Sequence, residues 1–200
     1  MTKIILASAS PRRKELLAII TKDFEVITAD VDERTIEEEI LKKHTDMKDA
    51  GTEMTIALGM AKAMAVFERS TSDEDVLVIG SDTCVVTRDE ILGKPKDRED
   101  CVRMLTKLSK GPHFVITGVS LVSRSKATSF AVTSEVIFND LDEIQKKFIE
   151  EYADSDEPYD KAGAYGIQGR GALLIKELKG DYFNVMGLPI SELNRVLASF

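Results

Sequence analysis

The feature that most constrains the fold is a run of four apolar residues, Val-Leu-Val-Ile at 76–79, which has no polar face. A strand of this kind must be covered on both sides, as the central strands of α/β proteins are. Lys3–Ala7 has the same character, and segments with helical spacing of apolar residues separate the predicted strands. The alternation predicts an α/β fold with a mixed sheet.

Patterns along the chain predict the individual elements. Strands are expected at residues 3–7, 24–28, 76–79, 114–123, 127–138 and 173–178, and a hairpin at 85–86 and 90–92. Helices are expected at residues 11–20, 55–68, 97–108, 142–151 and 189–199, the third of them capped by Asp97. Residues 37–48 are charged and suggest a mobile, solvated helix or loop, and residues 154–159 suggest an acidic linker.

Composition excludes several classes of function. The net charge of −8 argues against a nucleic-acid binder, which needs a basic face. The two cysteines fit no zinc or redox motif, and two histidines rule out a histidine-rich metal site. No stretch approaches the length of a membrane span, and the apolar run at the start is too short for a signal peptide. We therefore expect a soluble, cytoplasmic protein, and its length suits one domain, residues 1–200, or one domain with two lobes around a cleft.

The first motif, Ser8-Ala9-Ser10-Pro11-Arg12-Arg13, lies between a strand and a helix. Ser10 suits the N-cap and Pro11 the first helical position. Arg12 and Arg13 then fall in the first turn, where cations oppose the helix dipole. Hydroxyls, guanidinium groups and free backbone N–H groups together make an anion site. The alternative is a capped helix with two solvated arginines.

Carboxylates are expected where strands end. Asp82 follows the apolar run at 76–79, at a position that faces the ligand crevice in α/β sheets. It could bind Mg²⁺ or deprotonate a water molecule, or it could be an ordinary turn aspartate. Asp30, Asp32 and Glu33 end another predicted strand and offer further oxygens for a hard cation.

Three lysines and a glycine-rich stretch complete the candidates. Lys62 lies on a largely apolar helix and points either to solvent or into a cleft. Lys94 lies in a Gly-Lys-Pro turn, a weak signal by itself. The stretch 163–171 holds four glycines in nine residues, which permits close approach to a ligand or simply a tight loop. Around it stand Lys161, Tyr165 for stacking or hydrogen bonding, and Gln168. No P-loop is present.

Together these segments resemble the Maf family of nucleoside triphosphate pyrophosphatases. The matching stretches are residues 6–17, 31–33, 80–83, 93–95, 117–119, 160–169 and 187–189, in the order that the family has them. They span nearly the whole chain, and their ordered combination is far more specific than any single one.

The resemblance implies an elongated α/β fold similar to that of inosine triphosphate pyrophosphatases. It also implies hydrolysis of a nucleoside triphosphate to the monophosphate and pyrophosphate with Mg²⁺ or Mn²⁺. In this sequence Ser8, Arg12 and Arg13 would hold phosphates; Lys62, Lys94 and Lys161 would neutralise them; Gln168 would contact the nucleotide; Glu33 would help to bind metal; and Asp82 would be the general base or a metal ligand. A homodimer is also implied.

The run Asp-Lys-Ala-Gly-Ala-Tyr-Gly-Ile-Gln-Gly at 160–169 looks like the branch that acts on dTTP and UTP. The chain departs from the family pattern in its charged segment 34–52 and its acidic segment 154–159, both beside site motifs. Two alternatives remain: a nucleotide-binding regulator of cell division, or a pyrophosphatase for 7-methyl-GTP or another modified nucleotide.

Overall fold

A computed structural model describes residues 2–70 and 75–200, which form a mixed sheet flanked by helices. The strands are β1 (Lys3–Ala7), β2 (Phe24–Val26), β3 (Val76–Val86), β4 (Ile91–Leu92), β5 (His113–Ser123), β6 (Ala127–Phe138) and β7 (Ile175–Lys179). The helices are α1 (Pro11–Ile20), α2 (Glu33–Lys43), α3 (Met47–Phe67), α4 (Arg98–Leu108), α5 (Glu143–Ala153), α6 (Tyr182–Met186) and α7 (Ile190–Leu197). Short 3-10 turns cover Ala162–Ala164 and Gly169–Leu174.

The described strands form one seven-stranded sheet in the order β2-β1-β3-β5-β6-β7, with β4 paired to β3. The pairs β2–β1 and β1–β3 are parallel, and the other pairs are antiparallel. The α/β class with a mixed sheet is therefore confirmed. Among the described helices, none has the length and hydropathy needed to cross a bilayer.

Helix α3 lies against one face of the sheet at very short range. A Cβ at Gly118 would lie 2.3 Å from a backbone carbon of Thr55, and one at Gly80 would lie 2.1 Å from the carbonyl oxygen of Gly59. Only glycine fits at either strand position. This close approach brings Lys62 of α3 next to β3.

The opposite face is covered by α1, α6 and α7 at one end and by α4 and α5 at the other. Leu17 of α1 and Leu193 of α7 are fully buried against Ile79 and Leu121. At the far end, α4 and α5 enclose a separate apolar cluster that includes Tyr152. The two clusters pack against different parts of β3 and β5, since Ile79 and Leu121 belong to the first and Val85 and Val115 to the second.

Several predicted boundaries were wrong. The segment 80–83 is not a turn, because β3 continues to Val86 and pairs residue by residue with β5. Asp82 therefore lies inside a strand. Strand β2 ends at Val26, and β7 begins only at Ile175, since residues 169–174 form a 3-10 turn. The short helix α6 was missed.

The segment between β2 and β3 also differs from the prediction. Asp32 caps α2 by accepting a hydrogen bond from the Thr35 N–H at 3.2 Å, so Glu33 begins a helix instead of ending a strand. Asp46 caps α3 in the same way, which starts that helix eight residues before the predicted position. Side-chain caps thus divide the charged segment into two helices.

Candidate active site

A cleft of about 880 Å³ opens beside β3, between the segment that pairs with β1 and the segment that pairs with β4. The pairing of β1 with β3 ends at Gly80, and that of β4 with β3 begins at Val85. Between these points β3 presents Asp82 and Thr83 to the cleft, one from each face of the sheet. Groups carried by α3 on one face and by α1 on the other can therefore reach the same space.

The turn before α1 forms one end of this cleft. Ser10 caps α1 by accepting a hydrogen bond from the Arg13 N–H, and Pro11 is the first helical residue, as predicted. Ser8 is buried, and its hydroxyl accepts from the Ser10 N–H at 3.1 Å. The turn is thus rigid, and it points its polar groups into the cleft.

Both arginines bond to other groups of the protein, so they are not the two solvated arginines of the alternative prediction. Arg13 donates from Nε to the Gly187 carbonyl at 2.8 Å and from Nη2 to Thr83 Oγ1 at 2.9 Å. Burial lowers the pKa of Arg13, although the Asp82 carboxylate acts in the opposite direction. Arg12 pairs with Asp160 at 3.0 Å. A desolvated guanidinium at a helix N-terminus favours a bound anion.

Lys62 joins the two predicted metal carboxylates. Its Nζ lies 2.6 Å from Asp82 Oδ1 and 2.7 Å from Glu33 Oε1. Of the two positions considered for Lys62, the structure shows the one inside the cleft, with 14% of the side chain exposed. The three residues come from β3, α2 and α3, so the site is assembled by tertiary packing.

These carboxylates suit a hard cation in part. Oxygens of Asp82 and Glu33 converge on one ammonium group. Mg²⁺ is commonly held by one or two carboxylates together with substrate phosphates, without a complete protein cage. Within residues 2–70 and 75–200, no three His, Cys, Asp or Glu side chains form such a cage. Asp30 and Asp32, which the sequence offered as further oxygens, are not among the residues that line the cleft.

Glu37 is a cleft residue that the sequence analysis did not single out. Burial raises the pKa of Glu37, and the charges of Glu33 and Asp82 raise it further. The available signal was the helical spacing of four residues from Glu33, which puts both side chains on the same face of α2.

The opposite side of the cleft is built from connecting segments. Lys161 Nζ donates to Asp160 Oδ1 at 2.6 Å and, closely, to the Glu157 carbonyl. The hydrogen bonds from Lys161 and Arg12 to Asp160 outweigh the effect of burial and lower the pKa of Asp160. Lys94 and Gln168 are exposed at the rim.

Glu157 is a second residue that the sequence analysis missed, inside the predicted acidic linker. Its Oε1 accepts from the Tyr152 hydroxyl and from the Gly171 N–H, both at 3.1 Å. Its Oε2 accepts from the Arg170 N–H at 3.3 Å. Gly169, with φ at +69°, approaches the same carboxylate. Glu157 therefore holds the segment that carries Gln168.

Tyr165 lines the cleft, but its hydroxyl is already committed to the protein. The hydroxyl lies 2.8 Å from His113 Nε2, and the ring makes edge contacts with His113 and Phe138. Only 5% of the residue is exposed. Tyr165 thus secures the glycine-rich stretch to the core.

The structure brings the nine predicted site residues together in this one cleft. They are Ser8, Arg12, Arg13, Glu33, Lys62, Asp82, Lys94, Lys161 and Gln168. Their roles toward a substrate stay predictions.

Comparisons with known proteins identify the family of the chain. The Maf-like protein family model matches residues 3–200. A dTTP/UTP pyrophosphatase of Acetivibrio thermocellus is 45% identical over 201 residues, covering 100% of this chain and 96% of that protein. A Bacillus cytotoxicus protein of the same name is 43% identical, with the same shares covered. The solved Ham1 protein of Staphylococcus aureus gives a TM-score of 0.39 at 18% identity, covering 70% of this chain and 73% of that one.

Proposed function

The chain belongs to the Maf family, and from that premise we propose that it hydrolyses dTTP and UTP to the nucleoside monophosphate and pyrophosphate. Such an enzyme removes nucleotides from the triphosphate pool, a house-cleaning role. The relatives named dTTP/UTP pyrophosphatase match this chain over its full length, which supports both the reaction and the pyrimidine preference.

One observation of the structure carries the proposal: five cationic side chains line the cleft in which two carboxylates, Asp82 and Glu33, converge on Lys62. The cations are Arg12, Arg13, Lys62, Lys94 and Lys161. A triphosphate is a small, dense anion that needs several cations along its length. The carboxylates, in contrast, repel phosphate unless they bind a metal or act on water, so a phosphate-transfer site explains both sets.

In the proposed reaction, a water molecule attacks the α-phosphorus and the bond to the bridging oxygen breaks. The electron pair leaves with pyrophosphate, and the water gives up its proton. Asp82 orients the water and accepts this proton, since it is the carboxylate that β3 presents to the cleft. Arg12 and Arg13 bind the β- and γ-phosphates, where negative charge builds up on the leaving group.

A divalent cation, Mg²⁺ or Mn²⁺, fits beside Asp82 and Glu33, where it would neutralise charge on the phosphates. Lys62 now holds both carboxylates, and it would move toward a phosphate oxygen or share the carboxylates when the cation binds. A homodimer and a cytoplasmic location are further parts of the proposal, supported by the family resemblance and by the sequence.

The test is incubation of the purified protein with Mg²⁺ and a panel of triphosphates, followed by chromatography of the products. We expect monophosphate and pyrophosphate from dTTP and UTP, with slower turnover of the purine nucleotides. Turnover of 7-methyl-GTP alone would contradict the pyrimidine preference. Binding without turnover on every member would favour the nucleotide-binding regulator.

A further inference from the structure

Two threonine hydroxyls link Arg13 to the core through a chain of hydrogen bonds, which we call the relay. Thr83 on β3 and Thr117 on β5 lie directly opposite one another in the sheet register, and their Oγ1 atoms are 3.0 Å apart. Arg13 Nη2 donates to the first hydroxyl at 2.9 Å. The second donates to the Asn184 carbonyl at 2.9 Å. Arg13 is thus joined to the interior through two hydroxyl groups.

The direction of each hydrogen bond follows from the two ends of this chain of contacts. A guanidinium only donates and a carbonyl only accepts. The Thr117 hydroxyl donates its one hydrogen bond to the Asn184 carbonyl, so Thr83 must be the donor between the two hydroxyls. Thr83 therefore accepts from Arg13 and donates to Thr117. Neither hydroxyl can rotate away without leaving a partner unpaired, which fixes the guanidinium plane.

The inner end of the relay is firmly held. Asn184 is fully buried, and its Nδ2 donates to the Val115 carbonyl at 3.0 Å and to Ser134 Oγ at 2.9 Å. Three residues further along the chain, the Gly187 carbonyl accepts from Arg13 Nε at 2.8 Å. The segment around α6 therefore fixes Arg13 at two atoms, directly at Nε and through the threonines at Nη2.

We propose that Thr117, acting through Thr83, is a positioning residue that orients Arg13 toward the substrate phosphates. This rests on the proposed function, in which Arg13 binds the triphosphate. Thr117 is fully buried and cannot touch the substrate, so any effect on catalysis must pass through its neighbours. The relay uses Nε and Nη2 of Arg13 and does not engage Nη1.

The experiment replaces Thr117 by Val, which keeps the shape and removes the hydroxyl. We expect kcat/KM for dTTP to fall by up to about tenfold, the upper end of the effect of losing one hydrogen bond between neutral groups. Thr117→Ser, which restores the hydroxyl, should bring kcat/KM back to within about twofold of wild type. Thr55→Val is the matched control, since Thr55 is equally buried but its hydroxyl bonds to Gly51 within α3.

A double-mutant cycle separates positioning from general stability. In an Arg13→Lys background the planar donors are gone, so Thr117→Val should have no further effect on kcat/KM. Equal effects in both backgrounds, or wild-type kcat/KM in Thr117→Val, would overturn the proposal. If Thr117→Val does not fold, Thr83→Val breaks the same relay at a half-buried position. Should the wild type lack turnover, the proposed function fails, and the same cycle on dTTP affinity by calorimetry still tests the relay.

Discussion

The two sides of the cleft are built in different ways. The strand wall, which we define as Arg13, Lys62, Asp82 and Thr83, projects from β3 and the helices packed on it. The loop wall, defined as Lys94, Glu157, Asp160, Lys161 and Gln168, projects from connecting segments. In the strand wall, Arg13 bonds to the buried Gly187 carbonyl. In the loop wall, Lys161 bonds to the exposed Asp160 carboxylate as well as to the Glu157 carbonyl.

This difference divides the work of the site. Chemistry on phosphate needs groups fixed before the reaction, because reorganisation during catalysis adds to the barrier. The strand wall meets that requirement through regular structure on both faces of β3. Nucleotide binding tolerates adjustment, and the carboxylate that now occupies Arg12 and Lys161 can exchange with a phosphate. We expect changes in the strand wall to lower kcat and changes in the loop wall to alter KM.

The largest effect should come from Asp82→Asn. Removing the base should reduce kcat by a factor of about 10² or more, since the amide cannot accept the proton from water. Folding should be retained, because asparagine has the same shape, its oxygen can still accept a hydrogen bond from Lys62, and Glu33 still pairs with that lysine. Steady-state kinetics with dTTP and a thermal melt measure both quantities.

Asp89→Asn provides the control for this variant. Asp89 lies in the β3–β4 hairpin, pairs with Lys107 and is 72% exposed, away from the cleft residues. We expect its kcat to match wild type. Near-normal kcat in Asp82→Asn would remove Asp82 from the role of base and would also weaken the contrast between the walls.

The next largest effect should follow Glu157→Ala in the loop wall. The carboxylate accepts two backbone N–H groups and one hydroxyl, and without it the segment that carries Gln168 loses its anchor. We expect KM for dTTP to rise about tenfold while kcat changes little. Glu150→Ala is the control, because it removes a carboxylate of α5 that pairs with Arg98 of α4. A fall in kcat with unchanged KM would show that the loop wall also takes part in the chemical step.

Much of the fold could be predicted because the apolar runs and the side-chain caps are local signals. Asp97, Ser10 and Asp142 begin helices where the sequence suggested. The prediction that Asp82 lies in a turn was wrong. The polar residues around it favour a turn, and only their pairing with β5 keeps them extended. Partners set by distant strands override local preference.

The site divides along the same line. The charged residues of recognisable motifs could be found, since the dipole conflict at Arg12 and Arg13 is visible in the sequence. Glu157 was hidden in an acidic segment, because a carboxylate that binds backbone N–H groups leaves no spacing to detect. Thr117 was equally hidden, as its importance depends on the cross-strand register with Thr83.

A smaller effect should reveal how the loop wall is tied to the sheet. Burial lowers the pKa of His113 to about 4, against its ordinary 6.5, although a hydrogen bond with the Gly111 backbone acts in the opposite direction. Between these values the unfolded chain binds the proton and the folded chain does not. The stabilisation is therefore complete above pH 6.5 and is lost as the pH falls toward 4.

We expect this histidine to reduce the free energy of unfolding by about 1 kcal/mol from pH 6.5 to about pH 5.5. Urea titrations at the two pH values measure it, and His113→Gln should flatten the slope by that amount while keeping a polar partner for Tyr165. An unchanged slope in His113→Gln would show that His113 is protonated in the folded state.

The smallest effect is expected for Asp160→Asn, and its direction is the sharpest test of the comparison. Asp160 holds Arg12 and Lys161 but is 56% exposed, so each ion pair contributes at most about 1 kcal/mol. If the carboxylate merely occupies cations meant for phosphate, its removal should lower KM for dTTP by up to about threefold. The gain should shrink at high salt, where exposed charges are screened.

Asp154→Asn, which breaks a similar pair with Arg98 outside the cleft, should leave KM unchanged. A rise in KM for Asp160→Asn would mean that this carboxylate positions Lys161, and the loop wall would then be as preorganised as the strand wall.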